Sequence, residues 1–120
     1  MPGHEQPLTI RTMESTVALV VELHGELDTH TSAQLDAALA DGLDRAVDRP
    51  VIVDLTGLTF FGSAGIGILT ACSRAAAARP AGDPLRLVVD DNHVVTHPLQ
   101  AAGVGTTMPI YQNLTDALSA

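Results

Sequence analysis

Lysine and tryptophan are absent from the chain, and only three aromatic side chains are present: Phe60, Phe61 and Tyr111. A P-loop places a lysine against the nucleotide phosphates, so that site is excluded. Six arginines stand against fourteen acids, giving a formal net charge of −8. Such a surface repels phosphate backbones and anionic lipid, and three aromatics leave little for base stacking. Direct nucleic-acid and membrane binding are therefore not expected. Basic proteins are the partners this charge suits. The one cysteine, Cys72, cannot form an internal disulfide, which points to a reducing compartment. Its position among alanines reads as a small buried apolar residue rather than a nucleophile. No apolar run approaches about 18 residues, and residues 1–7, Met-Pro-Gly-His-Glu-Gln-Pro, lack the basic start and apolar centre of a signal peptide. A cytoplasmic protein is expected.

What is present suffices for one domain. A chain of 120 residues with 46% hydrophobic content can bury roughly two thirds of the surface its unfolded form exposes. Residues 1–7 are expected to be a flexible lead, with the domain spanning 8–120.

Hydrophobic patterning divides the chain into alternating elements. Residues 8–13 alternate weakly, Glu14-Ser15 marks a hairpin turn, and 17–23 is a near-continuous apolar strand of the kind buried on both faces. Gly25-Glu26-Leu27-Asp28 ends it. Thr31 or Ser32 caps a helix whose apolar stripe is Leu35, Leu39, Leu43 and Val47, with Asp36, Asp41, Asp44 and Asp48 on its solvated side. Pro50 introduces a strand over 51–55. A helix is expected over 63–79, a loop over 80–84, a strand over 85–89 and a short helix over 93–102, capped from Asp90-Asp91-Asn92 and stopped by Gly103. A last short strand over 107–111 carries Pro109, which implies an edge, and Asn113 caps a terminal helix over 113–120. The order β-β-α-β-α-β-α-β-α indicates the α/β class, with a mixed, mostly parallel sheet.

Residues 51–69, from Val51 through Phe60-Phe61-Gly62-Ser63-Ala64-Gly65 to Leu69, form the stretch on which the rest depends. A β-branched run passes through a glycine-punctuated corner into a helix start, whose first amides lack intrahelical partners and favour an anion or an attached phosphate. Ser63 sits where such a group would be held. Its hydroxyl could instead simply cap the helix. The two phenylalanines before the corner could serve to anchor the loop in the core. A hydrolase elbow needs glycine two residues before the serine, where this chain has Phe61, and Gly62, Gly65 and Gly67 reverse the dinucleotide spacing.

Other constellations are weaker. His93 and His97 stand at i, i+4 on the short helix, but two ligands do not make a metal site, and capping accounts for the nearby aspartates. Asp28 and Asp54 follow the second and third strands, near the sheet end where α/β folds bind ligands, and are read as loop-stabilising or partner-contacting residues. No nucleophile–base pair is evident, no cofactor is implied, and an enzyme is not expected.

Together, Gly25-Glu26-Leu27-Asp28, Val53-Asp54-Leu55-Thr56 and Phe60-Phe61-Gly62-Ser63-Ala64-Gly65-Ile66-Gly67 resemble the stand-alone STAS domains of the anti-sigma factor antagonists. The resemblance covers about residues 8–120. It implies a STAS-like fold and a non-enzymatic switch in stress-response signalling by partner switching. The antagonist binds an anti-sigma factor, typically a serine kinase related to histidine-kinase ATPases, and frees a sigma factor for transcription. Phosphorylation at the corner ends binding, and a serine phosphatase restores it. The partner surface implied here comprises Gly25, Glu26, Asp28, Gly62, Ser63, Ala64, Gly65 and Ile66. In the family the corner usually reads Asp-Ser-Ser-Gly or Asp-Ser-Thr-Gly, with phosphate on the second hydroxyl residue. This chain has Gly62 for the aspartate and Ala64 at the acceptor position, leaving Ser63 as a substitute about 100° away around the helix. A second reading is a sensory STAS module, or a subunit of a signalling assembly, that holds a nucleotide or other small anion at the corner.

Overall fold

The computed structural model describes residues 7–120. Its elements run β1 (Thr9–Glu14), β2 (Leu19–Leu27), α1 (Ser32–Arg45), β3 (Val51–Phe61), α2 (Ser63–Ala77), β4 (Arg86–Val88), α3 (His93–Ala102), a single 3-10 turn (Val104–Thr106), β5 (Ile110–Tyr111) and α4 (Leu114–Ser119). The five strands form one sheet in the order β1-β2-β3-β4-β5. β1 pairs antiparallel with β2, and every other pairing is parallel. The expected class and element order are therefore found. The expected flexible lead falls largely on residues 1–6, outside the described residues. Pro7, its last residue, is described, and its carbonyl lies against Gly25.

Strand alternation divides the core between the two sheet faces. Leu19, Val21, Leu23 and Leu27 of β2 join Val51, Val53, Leu55 and Phe61 of β3 beneath α1, α2 and α3. Val20, Ile52 and Val88 point the other way and meet Ala117 of α4. In α1 the stripe Leu35, Leu39 and Leu43 is buried as its spacing requires. Val47 leaves it: the helix ends at Arg45, and Val47 is 47% exposed. Ser73, on the buried face of α2, keeps its hydroxyl satisfied by accepting from the Leu85 amide at 3.0 Å.

The largest departure from the expected boundaries concerns β2 and β3. The strands are expected over 17–23, ended by Gly25-Glu26-Leu27-Asp28, and over 51–55, yet β2 continues to Leu27 and β3 to Phe61. Irregular register lets both continue, with shifts between Glu22 and His24 and between Gly25 and Glu26. At Gly25 φ is +103°, and a Cβ there would lie 2.1 Å from the Pro7 carbonyl oxygen, so only glycine fits this bulge. The side-chain amide of Asn92 secures the prolonged β3 by donating to the carbonyls of Leu55, Thr56 and Leu58 at 3.3, 3.2 and 2.9 Å. Meanwhile its own oxygen caps α3 through the Val94 amide. Since β4 stops beside Asp54, the ends of β2 and β3 run on past the rest of the sheet and carry the corner.

Smaller corrections follow from local chemistry. β1 is shifted by one residue and β4 is shortened to three residues. β5 keeps only Ile110 and Tyr111, because 104–106 wind into a 3-10 turn and Pro109 lies outside the strand. α2 ends at Ala77, two residues early.

Candidate protein-docking site

The corner is held by two backbone hydrogen bonds and by close packing of the start of α2 on Leu27 and Phe61. The Gly62 amide donates to the Leu27 carbonyl at 3.0 Å, and the Gly65 amide donates to the Gly62 carbonyl at 3.1 Å. Gly62, extended at φ −95° and ψ 172°, is the N-cap residue. Ser63 is therefore the first helical residue and not the cap, which corrects the capping role considered for it. The reason is steric: a Cβ at residue 65 would sit 2.5 Å from Leu27 Cδ2 and 3.2 Å from Phe61 Cε1, so α2 packs on β2 through a bare backbone and its start is fixed by that seat. Ser63 is exposed, and none of the described residues hydrogen-bonds its hydroxyl. Ala64 and Ile66 are half-buried, and Gly65 is buried.

The neighbouring loop is rigid for a different reason. One carboxylate oxygen of Asp28 accepts from the amides of His30 and Thr31, both at 2.9 Å, and from the Thr31 hydroxyl at 3.2 Å. That hydroxyl also lies 2.8 Å from the Glu26 carbonyl and accepts from the Asp28 amide at 2.9 Å. The Thr31 amide bond above all holds the Asp28 carboxyl below its usual range. Thr31 is the N-cap residue of α1, yet its hydroxyl serves the loop and makes no cap bond. Of the two roles expected for Asp28, loop stabilisation is thus visible in the geometry.

Asp54 does not join it. It lies inside β3, not after it, where Oδ1 takes the Thr56 amide at 3.0 Å and the Thr56 hydroxyl at 2.7 Å. Asp54 pairs in register with Glu22 while Phe61 pairs with Leu27. Five residues of β2, from Glu22 to Leu27, roughly 17 Å at about 3.3 Å each, therefore separate the level of Asp54 from the Asp28 loop. The two carboxylates form no acid–base pair. His93 and His97 are both exposed on α3, which continues through Pro98. Among the described residues no group of three or more His, Cys, Asp or Glu side chains has metal-binding proximity.

Two features of this end were not foreseen. The phenylalanines separate: Phe61 is 5% exposed and enters the core, whereas Phe60 is 49% exposed. Plain alternation along β3 does not give this, because past Gly57 it breaks, with Leu58 buried and Thr59 exposed. The second feature is the charge. Glu26 and Asp28 at the end of β2 and Asp90 and Asp91 after β4 lie at the same end of the parallel sheet as the corner. Asp90 and Asp91 hold positive φ of 44° and 59°, which non-glycine residues adopt mainly in tight turns. Among the described residues no arginine lies at this end. Arg45, Arg49, Arg74, Arg79 and Arg86 are at the opposite end, where Arg45 and Arg49 both pair with Glu14, and Arg11 lies on β1.

Known proteins are similar to this chain in sequence and fold. Residues 10–112 match the family described as Mlab, STAS domain. The chain is 32% identical over 101 residues to an anti-sigma F factor antagonist of Paenibacillus polymyxa, covering 84% of each. It is 28% identical over 115 residues to the anti-sigma-F factor antagonist RsfB of Mycobacterium tuberculosis, covering 93% of this chain and 88% of RsfB. A crystal structure of an anti-sigma factor antagonist from Mycobacterium paratuberculosis superposes with a TM-score of 0.83 at 25% identity, over 96% of both chains. Those names describe regulators that antagonise another protein, not enzymes. By its sequence match and by its five-stranded mixed sheet with four helices, the chain belongs to the STAS domain family, with anti-sigma factor antagonists among its relatives.

Proposed function

We propose that this protein is an anti-sigma factor antagonist acting in the cytoplasm. In this reading it occupies a serine-kinase-type anti-sigma factor, related to the histidine-kinase ATPases, and so releases a sigma factor for transcription. The observation that carries the reading is the projecting corner, where Ser63 is exposed at the head of α2 with no hydrogen bond to its hydroxyl among the described residues, and Glu26, Asp28, Asp90 and Asp91 lie at the same end. The names of the relatives support it. Glu26, Ser63, Ala64 and Ile66 supply contact surface. Asp28 shapes the adjoining loop, Gly25 and Gly65 permit the close backbone approaches behind the corner, and Gly62 is the residue at its cap.

Regulation differs from the usual phosphate switch. Ala64 has no acceptor oxygen, so a kinase seated for that position finds nothing to modify. Ser63 is the accessible hydroxyl nearby. A phosphate there would add about −1.5 to −2 charge to an end where no arginine lies among the described residues and would weaken docking by repulsion and bulk. Without that modification the protein stays in its binding form and is controlled by abundance. A serine phosphatase is needed only if Ser63 is phosphorylated.

The experiment is direct binding of the purified protein to each kinase-type anti-sigma factor encoded in the same genome, with ADP and with ATP. Association with one of them is expected; no association with any overturns the reading. Incubation with the bound kinase and ATP, followed by mass spectrometry, should leave residues 62–66 unmodified or Ser63 modified slowly. Rapid stoichiometric phosphate on Ser63 would overturn the constitutive version alone.

A further inference from the structure

We infer that Phe60 is the anchor of the docking surface and that its receptor on the partner is an apolar pocket rimmed by arginine or lysine. This inference rests on the docking role proposed above and specifies the chemistry of what docks. The aromatic ring is half-exposed at the tip of β3, immediately before the corner. Folding gains little from it there, since its neighbour Phe61 already fills the core position. The ring lies beside the corner. Its Cε2 and Cζ lie 3.2 and 3.7 Å from the point where a Cβ on Gly62 would stand, so the ring rests against the bare backbone of the cap residue. A Cβ at residue 62 would press on the ring and oblige it to give by a few tenths of an ångström.

An aromatic side chain has only two torsions to immobilise on binding, and buried aromatics are prominent among residues that dominate interface energies. Charge defines the surroundings of its receptor. Phe60 is the register partner of Glu26 across the β2–β3 pair, and Asp28 follows one residue after the pairing ends. Asp90 and Asp91 lie at the same end, and no arginine among the described residues offsets them there. A partner complementary to this surface places an apolar pocket over the ring and cations around it, where a guanidinium can also meet the ring face.

The test measures affinity for the anti-sigma factor that binds the wild-type protein, using Phe60→Ala, Phe60→Leu and, as a control at the far end of the molecule, Val17→Ala. Phe60→Ala should weaken binding by about 30-fold or more while leaving Tm nearly unchanged, with Phe60→Leu intermediate and Val17→Ala within about twofold. The wild-type association rate should fall as salt rises from about 50 to 300 mM. Binding by Phe60→Ala within about threefold of wild type overturns the anchor, and a salt-independent association rate overturns the basic rim. Failure of the wild-type protein to bind any candidate overturns the docking reading itself, and this inference with it.

Discussion

Gly65 and Leu27 touch so closely that a single added methyl on the helix would stand 2.5 Å from Leu27 Cδ2 and 2.8 Å from its Cγ. Leu27 is fully buried and has no room to withdraw. Gly65→Ala should therefore destabilise the fold. Overpacking costs about 1–3 kcal/mol, offset by up to about 1 kcal/mol for removing a helical glycine. A net fall in Tm of about 5–10 °C is expected by thermal unfolding. Two residues later, a Cβ on exposed Gly67 meets nothing within 4 Å. Gly67→Ala should raise stability by about 0.5–1 kcal/mol in the same experiment.

The Asp28 loop predicts an acid limb in the stability curve. The folded-state pKa of Asp28 is lowered from about 3.8, first by its bond from the Thr31 amide. A depressed carboxylate contributes its stability above the unfolded-state value and loses it as pH falls through the folded one. Glu14, lowered chiefly by its bond from Arg49, acts in the same sense. Urea midpoints should be flat from about pH 7 to 5 and fall below about pH 4. Asp28→Asn keeps an acceptor for the turn, so it should fold and show a shallower fall; an unchanged pH profile would remove Asp28 from the explanation.

Cys72 should be inert. Burial, reinforced by the Asp36 carboxylate 3.7 Å from the sulfur, pushes its thiol up to about 11. At pH 7 roughly one molecule in ten thousand carries the thiolate. A disulfide exchange reagent should react with the native protein orders of magnitude more slowly than with the urea-unfolded chain. Comparable rates would place the thiol at the surface.

Much of this architecture is legible in the residues, and what is not has identifiable causes. The Leu35-Leu39-Leu43 stripe, the Asn113 cap, which accepts from the Asp116 amide at 2.8 Å, and the buried run of β2 follow from local periodicity and capping chemistry. Strand lengths do not. Gly25 and Gly57 carry the local signature of a break, but a bulge at the first and the Asn92 amide beside the second are supplied by residues distant in sequence. The corner was visible as a glycine-rich turn, whereas its cap depended on how closely Gly65 approaches Leu27. Phe60 was legible as an unusual residue and not as an exposed one, because its orientation follows from the register with Glu26. The acidic end is likewise a property of topology: two distant loops bring four acids to one place while five arginines return to the other.

The most direct test of the corner as a docking surface is a titration of isotopically labelled protein with the anti-sigma factor, followed through backbone amide resonances. The amides of Gly25, Glu26, Asp28 and of residues 62–66 should shift or broaden at substoichiometric partner, while those of the hairpin turn at Ser15–Val17 and of Arg45 and Arg49 stay in place. Perturbation centred on the hairpin and the arginine-bearing end, with residues 62–66 unmoved, would contradict the account.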